Sequence, residues 1–330
     1  MIENWIRRSN TESKGKKLRI LTFPTHERYE TNLAKTGHEF FSFPHPDLKS
    51  WDYLTPIPEN YNVMPQGLFY PSDGYDLILA QSRYGQFALA QELNQILEIP
   101  IISLEHTTIN PGMDYNTIQK LGRMVGDVNV FISEYSASAW NTIGINRNIN
   151  IIEHCVDSGL FAPNPTKKKK KYVLTVANDF KNRDFVLNYN GWERITANIP
   201  RKLVGNNPGI SLPSVSVNKL VDEYNSCSVY LNTTTFSPIP MSLLEAMSCG
   251  CAVVALDNCN IPNVIKHGYN GMISENEHEL IDYCNLLLND EELAQTLGEN
   301  ARETILERFN EDRFINEWKE IFQKTYEASL

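Results

Sequence analysis

The chain has 330 residues, enough for about two domains of ~150 residues each. With 42% hydrophobic and 21% charged residues it is neither disordered nor fibrous, and no apolar run approaches the ~18 residues a membrane span needs. The net charge of −10 is uneven: residues 275–330 hold 15 acids against 5 bases, and the rest of the chain is balanced. That excludes a protein that coats DNA with its whole surface, yet leaves room for a basic cleft facing a phosphorylated ligand.

The first sixteen residues lack the apolar stretch of a secretory signal, so a cytoplasmic protein without an integral membrane segment is expected. Peripheral contact with a membrane stays open. Cys155, Cys227, Cys249, Cys251, Cys259 and Cys284 form no C-x-x-C pair, and no histidine pair has zinc-finger spacing. Reduced core thiols in a reducing compartment are the expectation.

In chain order, residues 1–16 read as an N-terminal arm. Short strands are predicted at Leu18–Phe23, Glu39–Phe43, Leu77–Gln81, Ile101–Leu104, Val128–Ser133 and Asn150–Glu153. Phe87–Leu97 has helical spacing of its apolar residues, and 44–74, rich in Pro, Tyr and Asn, reads as an irregular excursion. FAPNPTKKKKKY then marks a linker over 156–171, with two prolines and five consecutive lysines. A solvated hinge and a contact to an anionic ligand are both open readings of those lysines.

The alternation restarts after the linker. Strands are predicted at Tyr172–Ala177, Lys202–Gly205, Val229–Thr233, Ala252–Leu256 and Gly271–Ser274. Helices are predicted at Arg183–Thr196, Asn218–Ser226, Met241–Ser248, Ile261–Lys266 and Glu277–Leu288, with two more across 291–328. Such alternation implies two doubly wound α/β domains, Rossmann-like, facing a cleft. The boundaries read as 17–155, a 156–171 hinge, 172–312, and a final helix at 313–330 that crosses back to the N-terminal domain.

The most informative stretch is SPIPMSLLEAMSCGCAVVA, residues 237–255. A strand ends near Thr233, a Pro-containing loop follows, and a helix begins near Pro240. Its free N–H groups and positive dipole end suit a pyrophosphate. Glu245, one turn in, is placed to accept hydrogen bonds from a vicinal diol. The competing reading is a capping box, in which Ser242 and Glu245 only satisfy backbone donors.

Residues 229–309 resemble the C-terminal half of retaining GT-B glycosyltransferases of the family 4 type (glycosyl transferases group 1). Members read E-G-F-P-x-x-x-L-E-A-M-A-C-G-x-P-V-V, then a G-G-I-P-E-like and a G-x-N-G-x-L-like turn. Here the order is SPIPMSLLEAMSCGCAVVA, DNCNIPNVI and KHGYNGMI. The N-terminal half resembles the family more weakly, through KLRILTFPTHERYETNLAKTGHEF and IIEHCVDSGLFAP.

The resemblance implies a transferase (a hexosyl- or related transferase) that moves a sugar from a nucleotide-diphosphate donor to a carbohydrate or glycoconjugate acceptor, with retention. It implies no separate cofactor and no essential metal. Glu245 would bind the donor ribose, and the amides of Met241, Ser242 and Leu243 would face its phosphates and sugar. Arg183 falls at the family's phosphate-binding lysine; Asn178 replaces the accompanying arginine, with Lys181 nearby. His106 would lie close to the donor sugar. Thr25 and His26 stand where the family has a glycine-rich loop, and Glu27 and Glu105 would orient the acceptor. Ser237 replaces the first Glu of the family's E-x7-E, and Asn263 stands where an acid is common.

Three other readings remain open. The first is a DNA-modifying glycosyltransferase that would use Lys167–Lys171 and Arg7/Arg8. The second is a catalytically silent sugar-nucleotide-binding module, prompted by Ser237 and Asn178. The third is a GT-B epimerase or phosphorylase.

Overall fold

A computed structural model of the chain describes residues 15–23, 25–46, 51, 55–65, 71, 74–110, 112–141 and 148–330. Most of the expected N-terminal arm, Arg7 and Arg8 included, lies outside them. Two compact units emerge, Met1–Glu153 with Asp312–Leu330, and His154–Glu311.

Unit 1 is built on parallel strands β1 (Arg19–Thr22), β2 (Glu39–Ser42), β3 (Tyr61–Val63), β4 (Leu77–Ala80), β5 (Ile101–Glu105), β6 (Val128–Phe131) and β7 (Ile149–Ile151). Their order across the sheet is β3-β2-β1-β4-β5-β6-β7. β4 and β5 are buried along their whole length, which is why LILA and IISLE read as unbroken apolar or small runs rather than alternating ones. The helices are α1 (Glu27–Ala34), α2 (Gln86–Leu97), α3 (Tyr115–Gly122) and α4 (Glu134–Asn141). Three of them, and β3 within the expected irregular excursion, are not among the predicted elements. They are only eight residues each and carry few apolar residues, and β3 is three residues long, so each offers little pattern to read.

Unit 2 has parallel strands β8 (Lys170–Val176), β9 (Arg201–Val204), β10 (Cys227–Asn232), β11 (Ala252–Leu256) and β12 (Met272–Ser274), ordered β12-β11-β10-β8-β9. Its helices are α5 (Asp184–Leu187), α6 (Tyr189–Ile195), α7 (Val217–Ser226), α8 (Met241–Ser248), α9 (Glu277–Asn289) and α10 (Glu291–Arg308). The single helix predicted over Arg183–Thr196 is broken at Asn188, whose φ of 60° ends α5 and whose side chain caps α6 through Gly191 N–H. Ile261–Lys266, predicted as a helix, holds only a 3₁₀ turn at Ile261–Asn263.

Residues 156–171, expected as a hinge, belong to unit 2. Phe161 is buried, and its carbonyl accepts from Ser248 Oγ and Arg302 Nη1. Lys167 pairs with Asp222, Lys169 Nζ donates to Gly250 O, and Lys170 and Lys171 open β8. Two of the five lysines thus have structural partners, and all five are exposed. The last helix, α11 (Glu311–Glu327), lies in unit 1 for almost all its length. Its apolar stripe is buried through Phe314, Trp318 and Phe322. Trp318 Nε1 donates to Tyr29 Oη at 3.2 Å, and the Phe322 ring meets Phe40 and His38.

Candidate functional site

In an open parallel sheet, ligands gather beyond the carboxyl ends of the strands where the strand order reverses. In unit 2 that point lies between β8 and β10, which are hydrogen-bonded neighbours separated in sequence by β9. The two loops leaving it carry most of the expected donor-binding residues.

The loop after β8 runs from Ala177 to Arg183 and is clamped from one side. Asn178 Oδ1 accepts from Asn206 N–H at 2.8 Å, Asp179 N–H donates to Asn206 O, and Phe180 N–H donates to Asn207 Oδ1 at 2.7 Å. Gly205 makes this fit possible: its φ is 142°, and a Cβ there would sit 1.9 Å from Ala177 O. Asn178 is thus a loop staple. Lys181 and Arg183 are exposed, and neither side chain has a hydrogen-bonding or ion-pairing partner among the described residues.

The loop after β10 is tied to the same place. Thr235 and Phe236 donate their N–H groups to Val186 O, Thr233 Oγ1 donates to Leu187 O, and the Phe185 and Phe236 rings stack at 5.6 Å. The two loops are therefore one assembly, and α5 is their common strut. Ser237, half-buried, follows directly.

α8 begins at Met241. Pro240 is its N-cap, in extended geometry and without a side-chain cap, one residue before the first helical turn where its predicted place lay. The N–H groups of Met241 and Ser242 have no acceptor among the described residues, whereas Leu243 N–H donates to Pro240 O at 3.1 Å. The helix thus offers two outward donors, not the three expected. The capping-box reading fails: Ser242 lies inside the helix, and its Oγ accepts from Tyr230 Oη at 2.9 Å. Glu245 is wholly buried, and its Oε2 accepts from Tyr224 Oη at 2.9 Å. Asn263, further on, donates to Asn260 Oδ1. Tyr224 carries no sequence signal of its own; only the packing of α7 beside α8 brings it to Glu245.

In unit 1 the strand order reverses between β1 and β4. His106, just beyond β5, presents Nε2 to Gln81 Oε1 at 3.2 Å, and its ring meets Tyr29 edge-on at 4.6 Å. Thr25 Oγ1 approaches the same Gln81 oxygen at 3.5 Å. Gln81 Nε2 donates to Thr22 Oγ1 at 3.0 Å and to Glu30 Oε1 at 2.5 Å, and Tyr61 Oη donates to Glu30 Oε2 at 3.1 Å. Burial pushes the Glu30 carboxyl up to about 7, against the pull of these donors. Burial, helped by His26, lowers His106 to about 3, so its ring is neutral at pH 7.

The other expected unit 1 residues serve the backbone. His26 caps α1, with Nδ1 accepting from Arg28 N–H. Glu27 is buried in the first turn of α1, and its carbonyl accepts from Thr31 Oγ1. Glu105 is wholly buried, its carboxylate taking Thr107 N–H and Oγ1 and the Arg83 N–H, and burial raises its pKa. Glu30, Gln81 and Tyr61 were missed in sequence. A polar residue closing the apolar run LILA was the one available hint, for Gln81.

Residues 202–304 match the family model described as Glycosyl transferases group 1. The chain also superposes on the Anabaena protein HepE, crystallised with UDP and glucose, with a TM-score of 0.73 at 16% identity over 92% of this chain and 99% of that one. The chain has the fold of the GT-B glycosyltransferases. An uncharacterized glycosyltransferase of Methanocaldococcus jannaschii is 25% identical to it over 316 residues, 89% of this chain and 88% of that protein. N-acetyl-alpha-D-glucosaminyl L-malate synthase of Bacillus anthracis is 37% identical over 82 residues, 24% of this chain. That match spans 22% of the synthase's own length. Among the described residues, no helix is long and apolar enough to cross a membrane.

Proposed function

We propose that this protein transfers a sugar from a nucleotide-diphosphate donor to a carbohydrate or glycoconjugate acceptor, with retention of configuration. The observation that carries the reading is the switch point of unit 2. Two exposed cations, Lys181 and Arg183, with no hydrogen bond or ion pair among the described residues, share a sheet edge with two amides at the start of α8 that have no acceptor there, and a buried carboxylate lies one turn in. Those are the groups a diphosphate and a ribose diol require.

Arg183 and Lys181 neutralise the leaving diphosphate, and the N–H groups of Met241 and Ser242 add directed donors. Arg183 can grip a phosphate with two parallel bonds, which a lysine cannot. Glu245, held by Tyr224, accepts from the ribose hydroxyls. These cations supply the positive charge, so the reaction needs no metal. HepE, a structural neighbour, was crystallised with UDP and glucose, which makes UDP the first nucleotide to try. Unit 1 holds the acceptor-side residues.

The test is a thermal-shift screen of wild type, Glu245→Ala and Glu245→Gln against UDP-, GDP-, ADP- and dTDP-sugars, with and without EDTA. A donor at ~100 times its Kd stabilises the fold by ~2.7 kcal/mol. The expected result is a shift with one nucleotide class that survives EDTA and is lost in Glu245→Ala. Glu245→Gln still offers Tyr224 an acceptor, so it separates loss of the ligand from loss of packing. No shift with any donor, from a folded sample, rejects the proposal.

A further inference from the structure

The loops after β10 and β11 hold polar atoms that the fold leaves unspent. Asn232 ends β10 and Asn260 lies beyond β11; they are 4% and 2% exposed. Nδ2 of each, and Oδ1 of Asn258, are buried with no hydrogen-bond partner among the described residues. Buried donors and acceptors are almost always satisfied, because an unmet one bears its full desolvation cost. Cross-links hold these side chains in one region. Thr234 Oγ1 donates to Asn232 Oδ1 at 2.8 Å, and Asn258 Nδ2 donates to Thr234 O at 3.0 Å. Cys259 Sγ reaches Thr235 O at 3.5 Å, and Asn263 Nδ2 donates to Asn260 Oδ1 at 2.9 Å. Because Thr234 O can only accept, it fixes the Asn258 amide and leaves the oxygen as the unspent end. Ser237, half-buried in the same loop as Thr235, makes no hydrogen bond through its hydroxyl among the described residues.

We propose that Asn232, Asn258 and Asn260, with Ser237, form the subsite that reads the hydroxyls of the donor's hexose. Two amide donors, one amide acceptor and a hydroxyl that can do either are the complement of a ring of hydroxyls, each of which donates and accepts. The placement fits. β10 borders the switch point of unit 2, and the loop after it is bonded to α5, which follows Lys181 and Arg183. A nucleotide sugar carries its hexose on the phosphate that those cations would hold, so the ring lies next to the charge. The inference rests on the reading of the chain as a sugar transferase. It assigns the three asparagines, which that reading does not use.

The experiment is calorimetric titration of the full chain with matched pairs of ligands: UDP and UDP-glucose, GDP and GDP-mannose, ADP and ADP-glucose, dTDP and dTDP-glucose. Asn232→Leu and Asn260→Leu each replace an unspent amide by an apolar group of similar size. For either variant the Kd of the free diphosphate is expected to stay within ~2-fold of wild type, and that of its hexose conjugate to rise ~10-fold. The two changes lie in different loops, so one remains informative if the other does not fold. Equal weakening of both members of a pair would make the asparagines mere supports of the loops. No weakening of either would leave the amides to ordered water. Each of those results overturns the proposal. Absence of binding by every diphosphate to wild type is a different failure: it removes the transferase reading, and this subsite with it.

Discussion

The two sheets reverse their strand order at equivalent places but dress those places oppositely. In unit 2 the reversal between β8 and β10 is lined with unspent charge: exposed Lys181 and Arg183, and amides of α8 with no acceptor. In unit 1 the reversal between β1 and β4 is lined with spent polarity: Glu30, Gln81 and Tyr61 are buried and bonded to one another. Exposed, unpaired cations suit a ligand that brings its own charge, such as a diphosphate. A buried, internally bonded network suits a ligand that brings hydroxyls, because the direction of each donor and acceptor then matters more than field. The same fold thus supplies a charge site and an orientation site.

The comparison can be broken at its structural root. Gly205 lets the 205–207 turn clamp the 178–183 loop, and a side chain there would collide with Ala177 O. Gly205→Ala is expected to cost ~3 kcal/mol in chemical denaturation and to abolish donor binding along with it. A neutral outcome would mean that the loop is not held as described. Next in size is the charge itself. Lys181→Ala with Arg183→Ala is expected to weaken the nucleotide ~100-fold, about 2.7 kcal/mol, and to flatten its salt dependence. Calorimetric titrations at low and high salt check this. Both residues are exposed and unpaired, so the melting temperature of the free protein should hardly move.

The smallest net effect is expected in the pH dependence of unit 1, because opposed terms meet there. Glu30, raised to about 7, binds a proton in the folded state before it does in the unfolded one, so it favours folding as pH falls from 7 toward 4.5. His106, lowered to about 3, and His38, lowered to about 4 chiefly by burial, do the reverse as pH falls below 6.5. The two histidine terms outweigh the one from Glu30, so wild type should lose melting temperature moderately between pH 6.5 and 4.5. Glu30→Gln removes the favourable term, and its melting temperature should drop more steeply with acid across that window. Parallel profiles for the two proteins would place Glu30 outside this balance.

Sequence legibility differs between the units for the same reason as their chemistry. The charge site of unit 2 comes mainly from one continuous stretch: Met241–Ser248 matches the predicted helix, and its strand, loop and helix are sequence neighbours. A local pattern is enough to read such a site. The orientation site of unit 1 takes Glu30 from α1, Tyr61 from β3, Gln81 from beyond β4 and His106 from beyond β5. Only the sheet order brings these together, and no spacing records it. Tyr61 lay in a stretch read as irregular, and Glu30 in a helix with too few apolar residues to stand out. Glu105 and His26, conspicuous in sequence, also serve the fold: the carboxylate takes the donors of a turn and the ring caps a helix.

The most direct test of the charge site is hydrogen exchange of the backbone. With no acceptor among the described residues, the Met241 and Ser242 amides should exchange fast in the free chain, while the body of α8 is protected. On saturation with the nucleotide sugar that gives the largest thermal shift, exchange at 241–242 and across 178–183 should slow, and that slowing should vanish in the Lys181→Ala, Arg183→Ala double variant. A bound nucleotide sugar that leaves both segments unprotected would contradict the account.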